Sequence, residues 1–312
     1  MSWLVLATLG QFLSAVVVFI DKYIVTDTKV LPRPFVYAFY SCLLTGFWVL
    51  IYVIGYIPGL EFLNIPRFDA IEKPTIQVIG MSFLAAYTFF MALVSLYGAL
   101  RSAEAVNVMP IIGAVSALST LGLSYLFLEI FLSTNFIWGV VILILGTLMV
   151  AQIIPDKFTL LTMVHSGFFF GLHYITMKGL FLETNFEDGF FWSRIGLVLF
   201  ALSLLMVPTY YHRITEQTKQ TEDKARAGIL VLIAKILAGI SAFLLLKATD
   251  QGDVTVVQAL DGLKFVFILL ITILFGHLLP DSAATTERRH DAFIRQVLYV
   301  AIITVGYFIL FL

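Results

Sequence analysis

The sequence predicts an all-α integral membrane protein whose ten transmembrane helices form two inverted five-helix repeats. Three observations carry this. The chain of 312 residues is 60% hydrophobic and only 12% charged, about half the charged share of a soluble domain. Its apolar residues come in blocks of about twenty, the length that crosses a hydrocarbon core about 30 Å thick. A hairpin, Leu96 to Glu129, returns in weaker form from Leu245 to Leu278, with Ala99 matching Ala248, Glu104 matching Asp253, Val108 matching Val257 and Gly113 matching Gly262 without a gap.

The spans fall at 3–25, 34–57, 75–99, 105–129, 135–153, 159–181, 189–211, 227–247, 254–279 and 294–312. The runs are continuous rather than alternating, which excludes barrel strands, and a lipid-exposed segment of this kind must be helical to satisfy its own backbone. Pro32, Pro34, Pro58, Pro74, Pro155, Pro208 and Pro280 punctuate the breaks. The sizeable connections, 58–74, 212–226 and 280–293, read as loops too small for a core of their own. Residues 1–20 read as the first helix rather than a signal peptide, since no basic stretch precedes the apolar run.

Pro155-Asp156-Lys157 marks a joint, giving repeats over 1–154 and 155–312. Lys22 near the end of span one answers to Lys178 near the end of span six, and Gly146 in span five to Gly306 in span ten. An odd number of spans per half turns the second copy upside down, as in the inverted repeats of secondary transporters.

A net charge of −1 argues against a nucleic-acid partner, and the single cysteine, Cys42, excludes an intramolecular disulfide framework and a cysteine metal cluster. No cofactor motif is present: the chain has no GxxxxGK[ST], GxSxG or HExxH.

Ionisable groups inside a span cost about 2.5–3.5 kcal/mol each at helix centre, so they mark a pathway unless paired. Lys235 stands in the middle of span eight with Gly239 and Ala242 on its face, and no partner close in sequence. Asp261 and Lys264 in span nine are spaced to pair with each other, and Gln258 lies one turn before Asp261. Asp21 ends a polar stripe with Gln11 and Ser14, whereas Lys22, Lys178 and Arg101 lie near span ends and can snorkel to the interface. Arg194 sits a short way into span seven.

Aromatic stripes with polar tips suit a cavity for organic molecules, although most aromatics here must be packing. Span three offers Tyr87, Phe90, Val94, Tyr97 and Arg101 along one face, span two Tyr37, Ser41 and Trp48, and span six Phe170, Tyr174 and Lys178. His165 and His173 are candidates for relaying protons coupled to transport, with Asp261 or Asp21 as the acid.

The ten short helices, the small-residue hairpin GALRSAEAVNVMPIIGAVSALS, the following LFLEIF and the glycine-bearing WGVVILILGTLMVA together resemble the drug/metabolite transporter superfamily, in particular its EamA-like members. In the second half Ala259 stands where Pro110 would recur, and His277 near the position of Glu129. The resemblance implies a carrier without ATP hydrolysis, working by alternating access on a small polar or amphipathic metabolite, or on a lipid or lipid-linked sugar. It implies that spans one to four and six to nine surround a central cavity, with spans five and ten as an outer scaffold that in some members is a dimer contact. The partners so implied are a small-molecule substrate, the bilayer of a prokaryotic cytoplasmic membrane, a proton or counter-substrate, and a second copy of the chain. An intramembrane enzyme or a non-transporting scaffold is the reading from another class, and no nucleophile-and-base constellation favours the first.

Basic residues concentrate in the odd-numbered connections: Lys29, Arg33, Arg101, Lys157, Arg213, Lys219, Lys224, Arg226, Arg288, Arg289 and Arg295, against Arg67, Lys73 and Lys247 in the even-numbered connections. The positive-inside rule then puts both termini outside, whereas the resemblance implies termini in the cytoplasm. A reporter active only outside the cytoplasm, fused after Leu312, is expected to be active by the charge count; a silent reporter would favour the orientation of the resemblance.

Overall fold

The computed structural model describes residues 2–27, 33–58, 67–128, 134–150, 156–219 and 224–275, with the single positions 298, 301, 302 and 305. Most of these residues are helical, with no strand among them. Among the described residues, seven helices are long and apolar enough to cross a membrane, which makes this a multi-pass, all-helical membrane protein. The predicted spans one, three, four, six and eight correspond to α1 (Ser2–Thr26), α3 (Ile76–Ser102), α4 (Ala105–Phe127), α6 (Lys157–Glu183) and α9 (Lys224–Gln251). Span five corresponds to the shorter α5 (Thr134–Val150). Span ten, His277 and Glu129 lie almost wholly outside the described residues.

Three elements depart from expectation. Span two is α-helical only from Pro34 to Gly46 (α2) and continues as 3-10 helix over Phe47–Tyr56. Span seven becomes α7 (Phe186–Leu205), and the chain then turns at Met206 and Val207 into α8 (Pro208–Lys219). Residues 208–219 were expected to divide between a span and a loop. Instead Pro208 starts a new helix, where its missing N–H is no loss. That helix is amphipathic, seating Ile214 against the bundle and leaving Tyr211, His212 and Arg213 exposed.

Span nine is broken. α10 (Val254–Ala259) ends at Leu260, and α11 (Gly262–Phe275) begins two residues on. Around the break the amides reach back three residues, Asp261 to Gln258 and Lys264 to Asp261, both at 3.0 Å. Asp-Gly is a turn dipeptide, and glycine lowers the penalty of interrupting the helix there. In the first hairpin Pro110 sits inside α4 without breaking it.

Helix ends are capped locally. Thr75 accepts from Val78, Asp156 from Phe158 and Thr159, Asn185 from Asp188, and Asp253 from Thr255 and Val256. Each cap satisfies donors that no helical carbonyl can reach.

Two antiparallel helix pairs run through the bundle. α1 lies along α9, with Gly10 O accepting from Ser241 at one level and Asp21 meeting Lys235 further on. α3 lies along α6, with Ser95 against His165, Ala92 O accepting from Ser166 and Ala85 O from His173. α4 presses on α6 through glycines: a Cβ at Gly167 would stand 2.7 Å from Ile112 O, and one at Gly171 3.0 Å from Ser116 O. Such backbone approach is the usual gain from small residues in a membrane interface. The core extends through α1 to α4, α6, α7 and α9 to α11, around an internal cavity.

Candidate functional site: a charged cavity inside the bundle

The cavity holds about 140 Å³. It is lined by Ser14 and Asp21 from α1, Ser41 and Thr45 from α2, and Phe89 and Tyr97 from α3. Ile112 and Ser116 come from α4, Phe170 and Tyr174 from α6, Lys235 and Ser241 from α9, Gln258 from α10, and Asp261 and Lys264 at the break and beyond. A space of this size accepts a molecule of about benzene's bulk, well below the roughly 300–1,000 Å³ of pockets for drug-sized ligands.

At its heart is a closed hydrogen-bond circuit. Lys235 Nζ lies 3.0 Å from Asp21 Oδ1 and donates to the Tyr97 hydroxyl, also at 3.0 Å. Ser41 donates to the Tyr37 carbonyl at 2.7 Å, so the 3.0 Å contact between Ser41 and Tyr97 is left for Tyr97 to donate. Tyr37 in turn donates to Asp21 Oδ1. The two tyrosine rings sit 4.4 Å apart, and the ammonium lies 4.4 Å from the Tyr37 centroid and 5.3 Å from that of Tyr97. Asp21 is 5% and Lys235 3% exposed, and both tyrosines are fully buried.

A charge so deep is tolerable only with a partner and its remaining donors or acceptors occupied. Lys235, predicted to face a cavity without a local partner, does line it, and its partner comes from a helix 214 positions away in sequence. Sequence spacing cannot show such a pair; the signal is an acid and a base each set within an apolar span.

The second charged pair was legible from its spacing. Lys264 Nζ and Asp261 Oδ1 are 2.5 Å apart. Asp261 Oδ2 would stand 2.9 Å from a Cβ at Gly113, so the missing side chain there makes room for the carboxylate. Gln258 accepts from Ser116 at 3.2 Å across the α4–α10 contact. Tyr174 completes this side. The cavity thus has two acid–base pairs on its walls and a mixed polar and aromatic lining.

Other candidates lie elsewhere. Tyr87 is 43% exposed and packs against Phe169 and Phe200 on the outside of the bundle. Ten residues at about 100° each leave it about 80° around α3 from Tyr97, so the expected stripe does not face one cavity. Arg194 is buried in α7, its guanidinium 4.7 Å from the Phe190 centroid, and does not line the cavity. His173 donates from Nδ1 to Ala85 O at 2.9 Å, and His165 Nδ1 lies 2.8 Å from Ser95 Oγ. Both histidines face α3 rather than the cavity. Gln11 is buried with its Oε1 unpaired among the described residues.

Lys22 and Lys178 do not snorkel outward. Lys22 Nζ donates to Leu100 O at 2.6 Å and Ala103 O at 2.9 Å, at the C-terminal end of α3. Lys178 Nζ donates to Thr249 O and Asp250 O at 2.9 Å and Gly252 O at 3.1 Å, at the C-terminal end of α9. Carbonyls at a helix C-terminus lack helical donors and carry partial negative charge, so they hold each ammonium in place.

No family model and no curated protein matches the chain. Among the solved structures, 28 chains match. One of them, described only as a crystal structure of a protein, superposes with a TM-score of 0.57 at 14% identity over 98% of each chain. At that identity the likeness is one of fold.

Removing one member of the central pair leaves the other charged and buried. Lys235→Ala is expected to lower stability by about 3–5 kcal/mol, and adding Asp21→Ala is expected to recover much of that loss. Denaturant unfolding of both variants in detergent checks this; equal losses that simply add would mean the two groups are not coupled.

Proposed function

We propose that the chain is a secondary carrier that moves a small polar or amphipathic metabolite across the membrane by alternating access. The observation that carries this is the cavity inside a membrane-spanning bundle, walled by Asp21, Lys235, Asp261 and Lys264. A packing core has no need of charged groups around an open space, whereas a polar solute crossing hydrocarbon needs partners for the groups it strips of water. Two oppositely charged pairs can receive either sign of charge on the solute, so a zwitterion or a singly charged molecule fits better than a neutral one.

Further features support a carrier built from two inverted five-helix repeats. α1 runs along α9 as α6 runs along α3, an exchange of partners between halves 1–154 and 155–312. Lys22 binds the end of α3 as Lys178 binds the end of α9. The break between α10 and α11 brings irregular backbone to the cavity wall, as the discontinuous helices of many carriers do. These traits agree with the EamA-like resemblance of the sequence. In that reading Asp21 and Asp261 are the acids placed to exchange a proton with the cavity, since both line it and neither histidine does.

One observation favours a lipid or lipid-linked substrate as a second reading. A groove of about 310 Å³ lies between α2 with its 3-10 extension and α9, its walls apolar (Leu44, Phe47, Trp48, Leu50, Leu232 and Ile236 among them) except at Lys235, which also lines it. It opens among side chains exposed on the bundle's outer face, Phe47, Leu50, Leu232 and Ile236, where an acyl chain could lie.

Proteoliposomes loaded with mixed labelled metabolites, and a parallel set carrying a fluorescent lipid, test both readings. Saturable solute flux is expected, reduced about tenfold or more by Asp261→Asn through loss of a charge-assisted partner. Lipid translocation without solute flux would favour the second reading, and flux of neither would remove the carrier class.

A further inference from the structure

Lys22 and Lys178 occupy opposite ends of the bundle, and the contacts already described establish this without reference to a membrane. α1 and α9 are antiparallel, Trp3 lying at Gly252 and Tyr23 at Arg226. α3 and α6 are antiparallel too, Gly98 lying at Thr162 and Met81 at Gly179. Lys22 joins the C-terminal end of α1 to that of α3; Lys178 joins the C-terminal end of α6 to that of α9. The cavity lies between the two junctions, with Tyr97 one turn from Leu100, and Leu245 one turn from Thr249.

The chemistry of the junctions suits contacts that break and reform. Each is a single flexible ammonium on two or three backbone carbonyls, at a helix end where those carbonyls can turn to water instead. The direct contacts of each ammonium are with carbonyls, while carboxylates nearby act on it electrostatically, Glu104 on Lys22 and Asp250 and Asp253 on Lys178. Each also holds the start of a hairpin. Beyond Leu100 and Ala103 the chain turns into α4, and beyond Gly252 into α10 and the break at Asp261. Release of either lysine therefore frees one hairpin at one end only. On α1, Lys22 directly follows Asp21, so a solute that disturbs the Asp21–Lys235 pair acts on the residue next to the junction.

We propose that Lys22 and Lys178 are paired gating latches, each closing one end of the cavity by tying the first helix of a half to the hairpin of that half. The proposal rests on the carrier reading for its purpose. Rupture of the Lys22 latch opens the cavity at the Tyr97 end, and rupture of the Lys178 latch opens it at the Leu245 end. Because helices of the two halves pack together along their length, opening at one end favours closure at the other.

The test uses full-length protein in detergent, with Cys42→Ser and one new cysteine, either Leu96→Cys or Leu245→Cys, both at cavity-lining positions. Labelling by a charged, water-soluble maleimide reads access at each end. Lys22→Met is expected to speed labelling at position 96 by about fivefold or more and to slow it at 245, and Lys178→Met to do the reverse. Acceleration at both positions in either variant would mean general loosening and would overturn the proposal, as would unchanged rates. Should a methionine variant fail to fold, Lys22→Arg and Lys178→Arg keep the donors while changing reach, and the same reciprocity is expected with smaller amplitude; uniform rates there overturn it equally. Labelling needs no solute. Reciprocal labelling in a protein that moves none of the metabolites would count against the carrier reading and leave the latches standing, and solute flux with non-reciprocal labelling would do the opposite.

Discussion

The rest of the structure depends on one ion pair, Asp21 with Lys235, set deep in an apolar bundle. Isolated charges at this depth would be intolerable, since desolvation exceeds what a single Coulomb contact returns. The pair persists because Tyr37, Tyr97 and Ser41 complete its hydrogen bonds and two aromatic faces flank the ammonium. Meeting those demands brings α1, α2, α3 and α9 to one point. Trp48 covers the outer side of this meeting place: a Cβ on Gly239 would fall 1.7 Å from Trp48 Nε1, so the indole lies where only glycine leaves space.

The second charged pair is a different object. Asp261 and Lys264 belong to one short stretch and pair locally, so they do not draw distant helices together. Their place is set by the interruption between α10 and α11. The interruption keeps the carboxylate and ammonium at the cavity wall, and Gly113 on α4 makes room for the carboxylate. The two hairpins have therefore diverged: the first keeps an unbroken helix with Pro110 and apolar Ile112 at the wall, while the second supplies charge and irregular backbone.

Much of this was legible in the sequence, and the rest for physical reasons was not. Apolar block length placed α1, α3, α4, α6 and α9 within a few residues, because hydrocarbon thickness fixes helix length. Lys235, Asp21, Asp261 and Lys264 stood out because charge in an apolar span is rare. Their pairing across helices was invisible, since nothing in one sequence reports contacts between Asp21 and a residue on α9. Tyr87 was misplaced because a stripe spaced by three and four residues still drifts around the helix. α8 is hidden in the sequence because an amphipathic helix carries a polar face that reads as loop, and the broken span because the charge of Asp261 masks the turn signal of Asp261-Gly262. Lys22 and Lys178 were matched as repeat partners, but the carbonyls that hold them are backbone atoms, which no side-chain pattern announces.

On the carrier proposal, the Asp21–Lys235 pair both holds the bundle together and meets the solute. Exchanging the two charges, Asp21→Lys with Lys235→Asp, separates these roles. Thermal unfolding and solute flux should be measured together on the single and double variants. The account predicts that each single change destabilises the protein and that the double variant regains much of the lost stability. Its flux should nevertheless stay depressed or shift in solute preference, because the polarity presented to the cavity is reversed. Restored stability with unchanged flux of the same solute would show that the pair is scaffolding alone and would contradict the account.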